Sequence, residues 1–181
     1  AKTLTPVTLE LGGKNPCIID KNVSIEIASK RIVFGKFLNC GQTCIAPNFL
    51  AIHEDIKELF INSLVKNIKS IYGDDPKNSP FYSNIISEHH VDRLSKLLHN
   101  SKIIHGGKFE KRTKYFEPTI VEVSSAQDKI LDDEIFGPIL PIITYGSDDE
   151  LDSILQRTKN PLAFYVSVSY THLTLPTKSG V

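Results

Sequence analysis

The chain has 181 residues, with 21 basic and 21 acidic side chains and a formal net charge of zero at pH 7. Because the basic residues are scattered, no patch attracts nucleic acid or an anionic membrane surface, and we expect neither as a partner. No apolar run approaches the roughly 20 residues that cross a bilayer, and the three cysteines fit a reducing compartment better than a disulfide framework, so we expect one cytoplasmic domain without a membrane segment.

Short apolar strands alternate with amphipathic helical patterns along the chain, which predicts an α/β fold with a mostly parallel sheet. The predicted strands are residues 7–11, 17–19, 49–52, 103–104, 119–123, 139–145 and 163–166. The predicted helices are residues 24–38, 55–71, 87–98 and 148–157. The glycine pairs at 12–13 and 106–107 lack the spacing of a phosphate-binding loop, so we interpret them as turns.

Cys44 lies between an amphipathic helix and an apolar strand, in the glycine-interrupted stretch NCGQTCIAP at 39–47. A thiolate is favoured where free backbone N–H groups and a partly open environment stabilise its charge. A single cysteine near a helix end is nevertheless more often a small buried apolar residue than a nucleophile. We expect Cys17 and Cys40 to be buried apolar residues of this kind.

Glu10 is the one charged residue in the apolar stretch TLELGG at 8–13. If this strand faces the core, Leu9 and Leu11 place the carboxylate among apolar groups, which suits a general base. A lone glutamate in a strand is more often solvent-facing. Together, however, a reactive thiol and a carboxylate that activates water suggest acyl-enzyme chemistry.

Three ordered stretches of the chain are ELGGKNP at 10–16, NCGQTCIAP at 39–47 and EIFGPILP at 134–141. They closely resemble the signature motifs of the aldehyde dehydrogenase superfamily, and in particular its class 3, fatty-aldehyde-like branch. The resemblance runs from residue 1 to about residue 166. It implies an aldehyde dehydrogenase-like catalytic domain with a doubly wound, mostly parallel sheet, NAD or NADP as the cofactor, a small-molecule aldehyde as the substrate, and a homodimeric full-length protein.

The resemblance also implies a role for individual residues. Cys44 matches the nucleophile and Glu10 the general base, while Glu134 holds the nicotinamide ribose and Phe136 packs on the nicotinamide ring. Leu11 and Gly12 match further cofactor contacts. In the implied reaction the thiolate adds to the aldehyde, the Cys44 amide helps to hold the oxyanion, hydride passes to NAD(P)⁺, and water deprotonated by Glu10 opens the thioester.

Other interpretations remain for these residues. Glu134 ends an acidic run, which is usually a solvated surface, and Phe136 could be a core aromatic at a turn. The Cys-x-x-x-Cys spacing of Cys40 and Cys44 has no second pair at zinc-ligand spacing, so we expect no metal. Alternative functions are a cysteine-dependent thioesterase or hydrolase, which would want a histidine beside Cys44, and a non-catalytic domain that keeps the fold.

The resemblance implies that the family's dinucleotide-binding domain, with the asparagine that completes the oxyanion hole, would precede residue 1, and that an oligomerisation arm would follow. We therefore expect residues 1–167 to be a catalytic domain cut at both ends and inactive alone. Residues 168–181 depart from the family and resemble a translated sequencing adapter, so we expect a non-native tail. A membrane anchor of the fatty-aldehyde type, where present, would lie after this chain.

Overall fold

The computed structural model describes residues 5–158 and 160–168, in which strands and helices alternate. The strands are β1 Pro16–Ile19, β2 Phe49–His53, β3 Lys102–His105, β4 Phe109–Glu110, β5 Tyr115–Phe116, β6 Thr119–Val123, β7 Ile139–Tyr145 and β8 Tyr165–Ser167. The helices are α1 Ile25–Phe37, α2 Lys57–Tyr72, α3 Glu88–Leu97 and α4 Asp148–Leu155. Within these ranges, no helix combines the length and apolarity that crossing a membrane requires.

The main sheet has six strands in the order β3-β6-β7-β2-β1-β8. Every neighbouring pair is parallel except β3 with β6, which is antiparallel. Strands β4 and β5 form a separate antiparallel pair. The predicted α/β fold with a mostly parallel sheet is confirmed, and the apolar runs of its central strands suit burial on both faces.

The core has two parts, one on each face of the main sheet. On one face α1 and α2 cover residues such as Ile19, Leu50 and Leu140. On the other face α3 and α4 cover their neighbours, including Ile18 and Ala51. This alternation follows from the two-residue period of a strand, and it confirms the doubly wound arrangement.

The predicted strand at residues 7–11 is wrong. This segment has no regular structure, and Val7, Leu9 and Leu11 are 72, 75 and 63% exposed. A strand needs a neighbour for its backbone hydrogen bonds, but the adjoining strand β1 is already paired with β2 on one side and β8 on the other. The segment therefore runs over the surface.

Other differences from the predicted elements are small. Strands β4 and β5 were not predicted, because two-residue strands are too short to show a period. The last strand begins at Tyr165 rather than at residue 163, since the Ala163 backbone N–H donates to the Asn15 side chain instead of a sheet partner. The predicted tail beyond Val168 lies outside the described residues.

Candidate active site

The three motifs meet at the edge of the sheet where the parallel strands begin. Asn15 directly precedes β1, Cys44 lies five residues before β2, and Gly137 lies two residues before β7. Because neighbouring parallel strands begin at the same edge, segments far apart in sequence converge there. The topology thus brings the cysteine turn close to the stretch 134–137.

A left-handed turn connects α1 to the cysteine segment. Asn39, Cys40 and Gly41 have φ values of 50°, 57° and 72°, a conformation that costs a residue other than glycine about 1–2 kcal/mol. Asn39 donates through Nδ2 to the carbonyl of Gln42 at 3.2 Å, and the Gln42 N–H returns a bond to the Asn39 carbonyl at 3.1 Å. A Cβ at Gly41 would collide with the carbonyl of Gly137, so a glycine lets these two segments touch.

The three cysteines differ in accessibility. Cys17 and Cys40 are 2% and 0% exposed, and burial raises the pKa of each thiol to about 12. Both pack in the core, as predicted, and the Cys40 thiol donates to the Tyr82 hydroxyl at 3.3 Å. Cys44 is partly exposed and free. It is the accessible thiol among the described residues.

The loop that carries Cys44 is held through its carbonyl groups. The buried Asn15 donates through Nδ2 to the carbonyls of Cys44 at 2.8 Å and Ala46 at 3.1 Å. The Tyr165 hydroxyl donates to the carbonyl of Ile45 at 2.6 Å. The Cys44 backbone N–H, by contrast, donates to no acceptor within the described residues. The sequence analysis did not single out Asn15, although a polar residue just before an apolar buried strand was a usable signal.

Gln42 ties the same turn to a second loop. Its Oε1 accepts from the Ile86 N–H at 2.9 Å, and its Nε2 donates to the carbonyls of Asn39 at 3.0 Å and Asn84 at 3.2 Å. One amide side chain therefore fixes the cysteine turn against the loop before α3. This role was also missed, because nothing in the local sequence links residue 42 to residues 84–86.

Buried and half-buried side chains fix the backbone around Glu134. The Ile135 N–H donates to Asn48 Oδ1 at 2.8 Å, and Asn48 Nδ2 donates to the Asp133 carbonyl at 3.4 Å. From α3, the Arg93 guanidinium donates to the Ile135 carbonyl. Sequence reasoning did not find Asn48 or Arg93, since both act on a segment more than 40 residues away.

Glu134 and Phe136 fit neither of their alternative interpretations. Asp132 and Asp133 are exposed, as expected for a solvated acidic run, but Glu134 is partly buried. Phe136 is 39% exposed, so it is not a core aromatic, and it has a positive φ of 45°. Gly12 lies against the Glu134 carboxylate so closely that a Cβ would collide with Oε2.

The structure does not give Glu10 the apolar surroundings that the sequence analysis assumed. Glu10, Leu9 and Leu11 are all exposed, because the strand expected to carry them is not formed. Glu10 makes no hydrogen bond or ion pair in the described part of the chain. The expectation of a core-facing carboxylate is therefore wrong, while its predicted role remains a prediction.

Lys36 is a buried lysine that interacts electrostatically with Glu134. It lies in the last turn of α1, its side chain is 1% exposed, and no hydrogen bond or ion pair reaches it from the described residues. Burial lowers the pKa of Lys36 to about 7, against the opposing influence of the Glu134 carboxylate and then of Cys40. The ammonium and the carboxylate thus influence each other electrostatically without direct pairing.

Outside these motifs, the described residues form no competing metal centre, and their cavity lies away from the candidate site. Residues 5–158 and 160–168 contain no group of three or more histidine, cysteine, aspartate or glutamate side chains that could hold a metal. A cavity of about 1040 Å³ lies at the opposite end of the parallel strands, where they terminate, and is lined by Asp20, His53 and Tyr145 among others. None of the candidate site residues lines it.

Comparison with known proteins supports the family that the three motifs resemble. A family model described as the aldehyde dehydrogenase family matches residues 1–170. The chain is 42% identical over 166 residues to the rat protein named aldehyde dehydrogenase, dimeric NADP-preferring, covering 92% of this chain and 37% of that protein. It is 43% identical over 166 residues to mouse aldehyde dehydrogenase family 3 member A2, covering 92% and 34%.

Solved structures of aldehyde dehydrogenases are also similar to this chain. The substrate-bound structure of Staphylococcus aureus AldH aligns with a TM-score of 0.88 at 40% identity, covering 93% of this chain and 37% of that one. An NAD-dependent aldehyde dehydrogenase from Sinorhizobium meliloti aligns with a TM-score of 0.82 at 27% identity, covering 94% and 35%. The chain thus spans between a third and two fifths of the length of these relatives. It belongs to the aldehyde dehydrogenase family, and its similarity to family 3 members confirms the resemblance to the class 3 branch.

Proposed function

We propose that the full-length protein containing this chain oxidises an aldehyde to a carboxylic acid with NAD or NADP, through a covalent thioester on Cys44. The observation that carries the proposal is the state of Cys44. Its thiol is accessible, its carbonyl is held by Asn15, and its backbone N–H is free to donate. A nucleophile next to an unoccupied backbone donor is the arrangement that attack on a carbonyl requires.

The reaction follows from these groups. The Cys44 thiolate attacks the aldehyde carbon, and the Cys44 N–H donates to the oxyanion that forms. A bound nicotinamide cofactor would supply the hydride acceptor, and loss of hydride from the adduct would leave a thioester on Cys44. Glu10 then takes a proton from the attacking water, and the thioester opens to release the carboxylate and the thiol. The exposed position of Glu10 gives water direct access to it; its assignment as the base is supported by the motif.

The stretch 134–137 supports a cofactor contact. Because Gly12 carries no side chain, it leaves room for the Glu134 carboxylate, and the partly exposed Phe136 ring can stack on a planar group. Leu11 is exposed next to Gly12. We therefore assign the nicotinamide ribose to Glu134, the ring to Phe136, and further cofactor contacts to Leu11 and Gly12.

Several features of the whole protein are proposed from the relatives. The rat relative is named NADP-preferring and dimeric, and the Sinorhizobium structure is named NAD-dependent. We propose either nicotinamide cofactor, a homodimer, a small-molecule aldehyde of the fatty-aldehyde type as substrate, and a cytoplasmic location. Residues 1–167 would be the catalytic domain, and residues 168–181 a non-native tail.

Two other functions are less well supported. A cysteine hydrolase would orient its thiol with a histidine, and no histidine in the described ranges is hydrogen-bonded to Cys44. A non-catalytic homologue would have no need for an accessible cysteine with a free amide. These alternatives predict no aldehyde-dependent formation of NAD(P)H.

The test is selective alkylation of the full-length protein with iodoacetamide at neutral pH, followed by mass spectrometry. We expect Cys44 to react first, because burial keeps the thiols of Cys17 and Cys40 protonated and enclosed. Aldehyde-dependent NAD(P)H formation should be lost in step with labelling, and in Cys44→Ala but not in Cys17→Ala. Labelling of Cys17 or Cys40 first, with activity retained, would show that the nucleophile is assigned wrongly.

A further inference from the structure

Two buried asparagines lie side by side at the edge that carries the site. Asn15 is 0% exposed and Asn48 is 3% exposed. They directly precede β1 and β2, whose register pairs Pro16 with Phe49. The Asn48 N–H donates to the Asn15 carbonyl at 2.8 Å, so the ladder of hydrogen bonds extends one step beyond the strands.

Their side chains act on different segments. The amide of Asn15 donates to the carbonyls of Cys44 and Ala46 and accepts from the Ala163 N–H at 2.8 Å. All of its contacts are thus made with the cysteine loop and with the segment that enters β8. Because the Cys44 carbonyl is held, the peptide plane after the nucleophile has one orientation.

The amide of Asn48 acts on the other half of the site. It accepts from the Ile135 N–H at 2.8 Å and donates to the Asp133 carbonyl at 3.4 Å. These two groups flank Glu134, so the backbone on both sides of this residue is fixed. Neither side-chain bond of Asn48 reaches the cysteine loop.

We propose that Asn15 and Asn48 are two separate positioning residues, Asn15 for acyl transfer at Cys44 and Asn48 for the cofactor contact at Glu134. The inference rests on the proposed function. It adds a division of labour: two adjacent residues of the same type each orient one half of the site. A displacement of about 1 Å in a reacting group can lower the rate by about 100-fold. Replacing either asparagine should therefore have a measurable effect.

The test uses the full-length protein and two readouts that need no turnover of the aldehyde. Release of p-nitrophenol from p-nitrophenyl acetate without cofactor reports acylation of Cys44. Calorimetric titration with NADP⁺ and NAD⁺ reports cofactor affinity. The variants are Asn15→Asp, which keeps the acceptor for Ala163 and removes both donors, Asn15→Ser, Asn48→Asp and Asn48→Ser.

Asn67→Ser is the matched control. The Asn67 side-chain amide donates two similar hydrogen bonds, to the Ser29 hydroxyl and to the Ser63 carbonyl, and it lies between α1 and α2, away from the site. We expect p-nitrophenol release to fall by about 10- to 100-fold in the Asn15 variants, with cofactor affinity within twofold. The Asn48 variants should show the reverse split, with cofactor affinity weakened by about 10-fold or more. Asn67→Ser should change neither readout by more than about twofold.

Parallel loss of both readouts in the Asn15 and Asn48 variants, or an equal loss in Asn67→Ser, would overturn the proposal. Failure of both Asn15 variants to fold, judged by urea unfolding, would also overturn it, because the residue would then serve stability first. If the unmodified protein oxidises no aldehyde, the proposed function fails, while the split between the two readouts still decides the role of the asparagines.

Discussion

The charge of Lys36 costs the folded protein stability, because its side chain is buried and unpaired among the described residues. Its pKa is lowered to about 7 by burial, whereas an unfolded lysine titrates near 10.4. Between these two values the unfolded chain binds a proton that the folded chain does not. The stability of the fold should therefore rise as the pH rises from 7 to 10, at up to about 1.4 kcal/mol per pH unit.

Lys36→Met should remove this dependence and raise stability at pH 7 by roughly a few kcal/mol, since it replaces a buried ammonium with an apolar side chain of similar length. Urea unfolding of the full-length protein at pH 7, 8 and 9 measures the effect, and exposed Lys30→Met is the control. A Lys36→Met protein that is less stable than the original at pH 7 would show that the ammonium is compensated more strongly than its surroundings indicate.

Glu10→Gln tests the proposed base without disturbing the fold, because the side chain is exposed. Removing a positioned general base typically slows its step by about 100- to 10,000-fold. We expect a pre-steady-state burst of NAD(P)H followed by slow turnover, since hydride transfer precedes thioester hydrolysis. Rapid-mixing absorbance at 340 nm follows both phases, with exposed Glu26→Gln as the control. If the burst disappears as well, Glu10 acts at an earlier step.

At the residue scale, local sequence predicts Cys44, Glu134 and Phe136 as site residues, but it does not predict the groups that hold them. The motif spacing marks a residue whose type matters for chemistry. Asn15 and Asn48 act instead through carbonyl and N–H groups 29 to 148 positions away, and such pairs are set by the topology of the sheet. No local pattern contains that information.

At the scale of elements, the buried parallel strands could be predicted well because their apolar runs are continuous. Strands β6 and β7 have the predicted bounds. The segment 7–11 has an equally suitable pattern but pairs with no strand in the described part of the chain. A suitable pattern therefore does not by itself place a segment in a sheet. Because this predicted strand is not formed, Glu10 does not face the apolar core. The motif that contains Glu10 is unaffected.

The left-handed turn after α1 gives a prediction at this scale. Gly41→Ala should destabilise the protein by about 1–3 kcal/mol, because alanine is strained at a φ of 72° and its Cβ would strike the Gly137 carbonyl. Gly35→Ala is the matched control. Its added Cβ would lie 3.9 Å from Cδ of Pro47, an ordinary van der Waals contact, so the substitution should stabilise helix α1 by about 0.5–1 kcal/mol.

Thermal unfolding of both variants compares them directly. We also expect Gly41→Ala to lose aldehyde-dependent NAD(P)H formation, since the strain falls between the cysteine turn and the segment of Glu134. Equal melting temperatures for the two alanine variants would contradict the close packing of residues 41 and 137.

At the scale of the whole molecule, the chain carries several of the proposed site residues. The proposed nucleophile, the proposed base and the Glu134 segment all lie outside the strands of its main sheet, and the chain spans 37% of the length of its rat relative. Several large apolar side chains are exposed on it, among them Leu9, Ile27, Phe34, Phe81 and Ile86. Exposed apolar surface of this kind favours association with other protein surfaces.

We therefore predict that a protein consisting of these 181 residues alone does not oxidise aldehydes and tends to aggregate. The family resemblance implies that the second oxyanion donor and the dinucleotide-binding domain lie outside these residues, and loss of one oxyanion donor alone typically costs about 100- to 1,000-fold in turnover. Calorimetric titration with NAD⁺, absorbance at 340 nm with a medium-chain aldehyde, and light scattering of the purified chain measure the three expectations. Micromolar cofactor affinity or steady turnover would show that these residues hold a complete site.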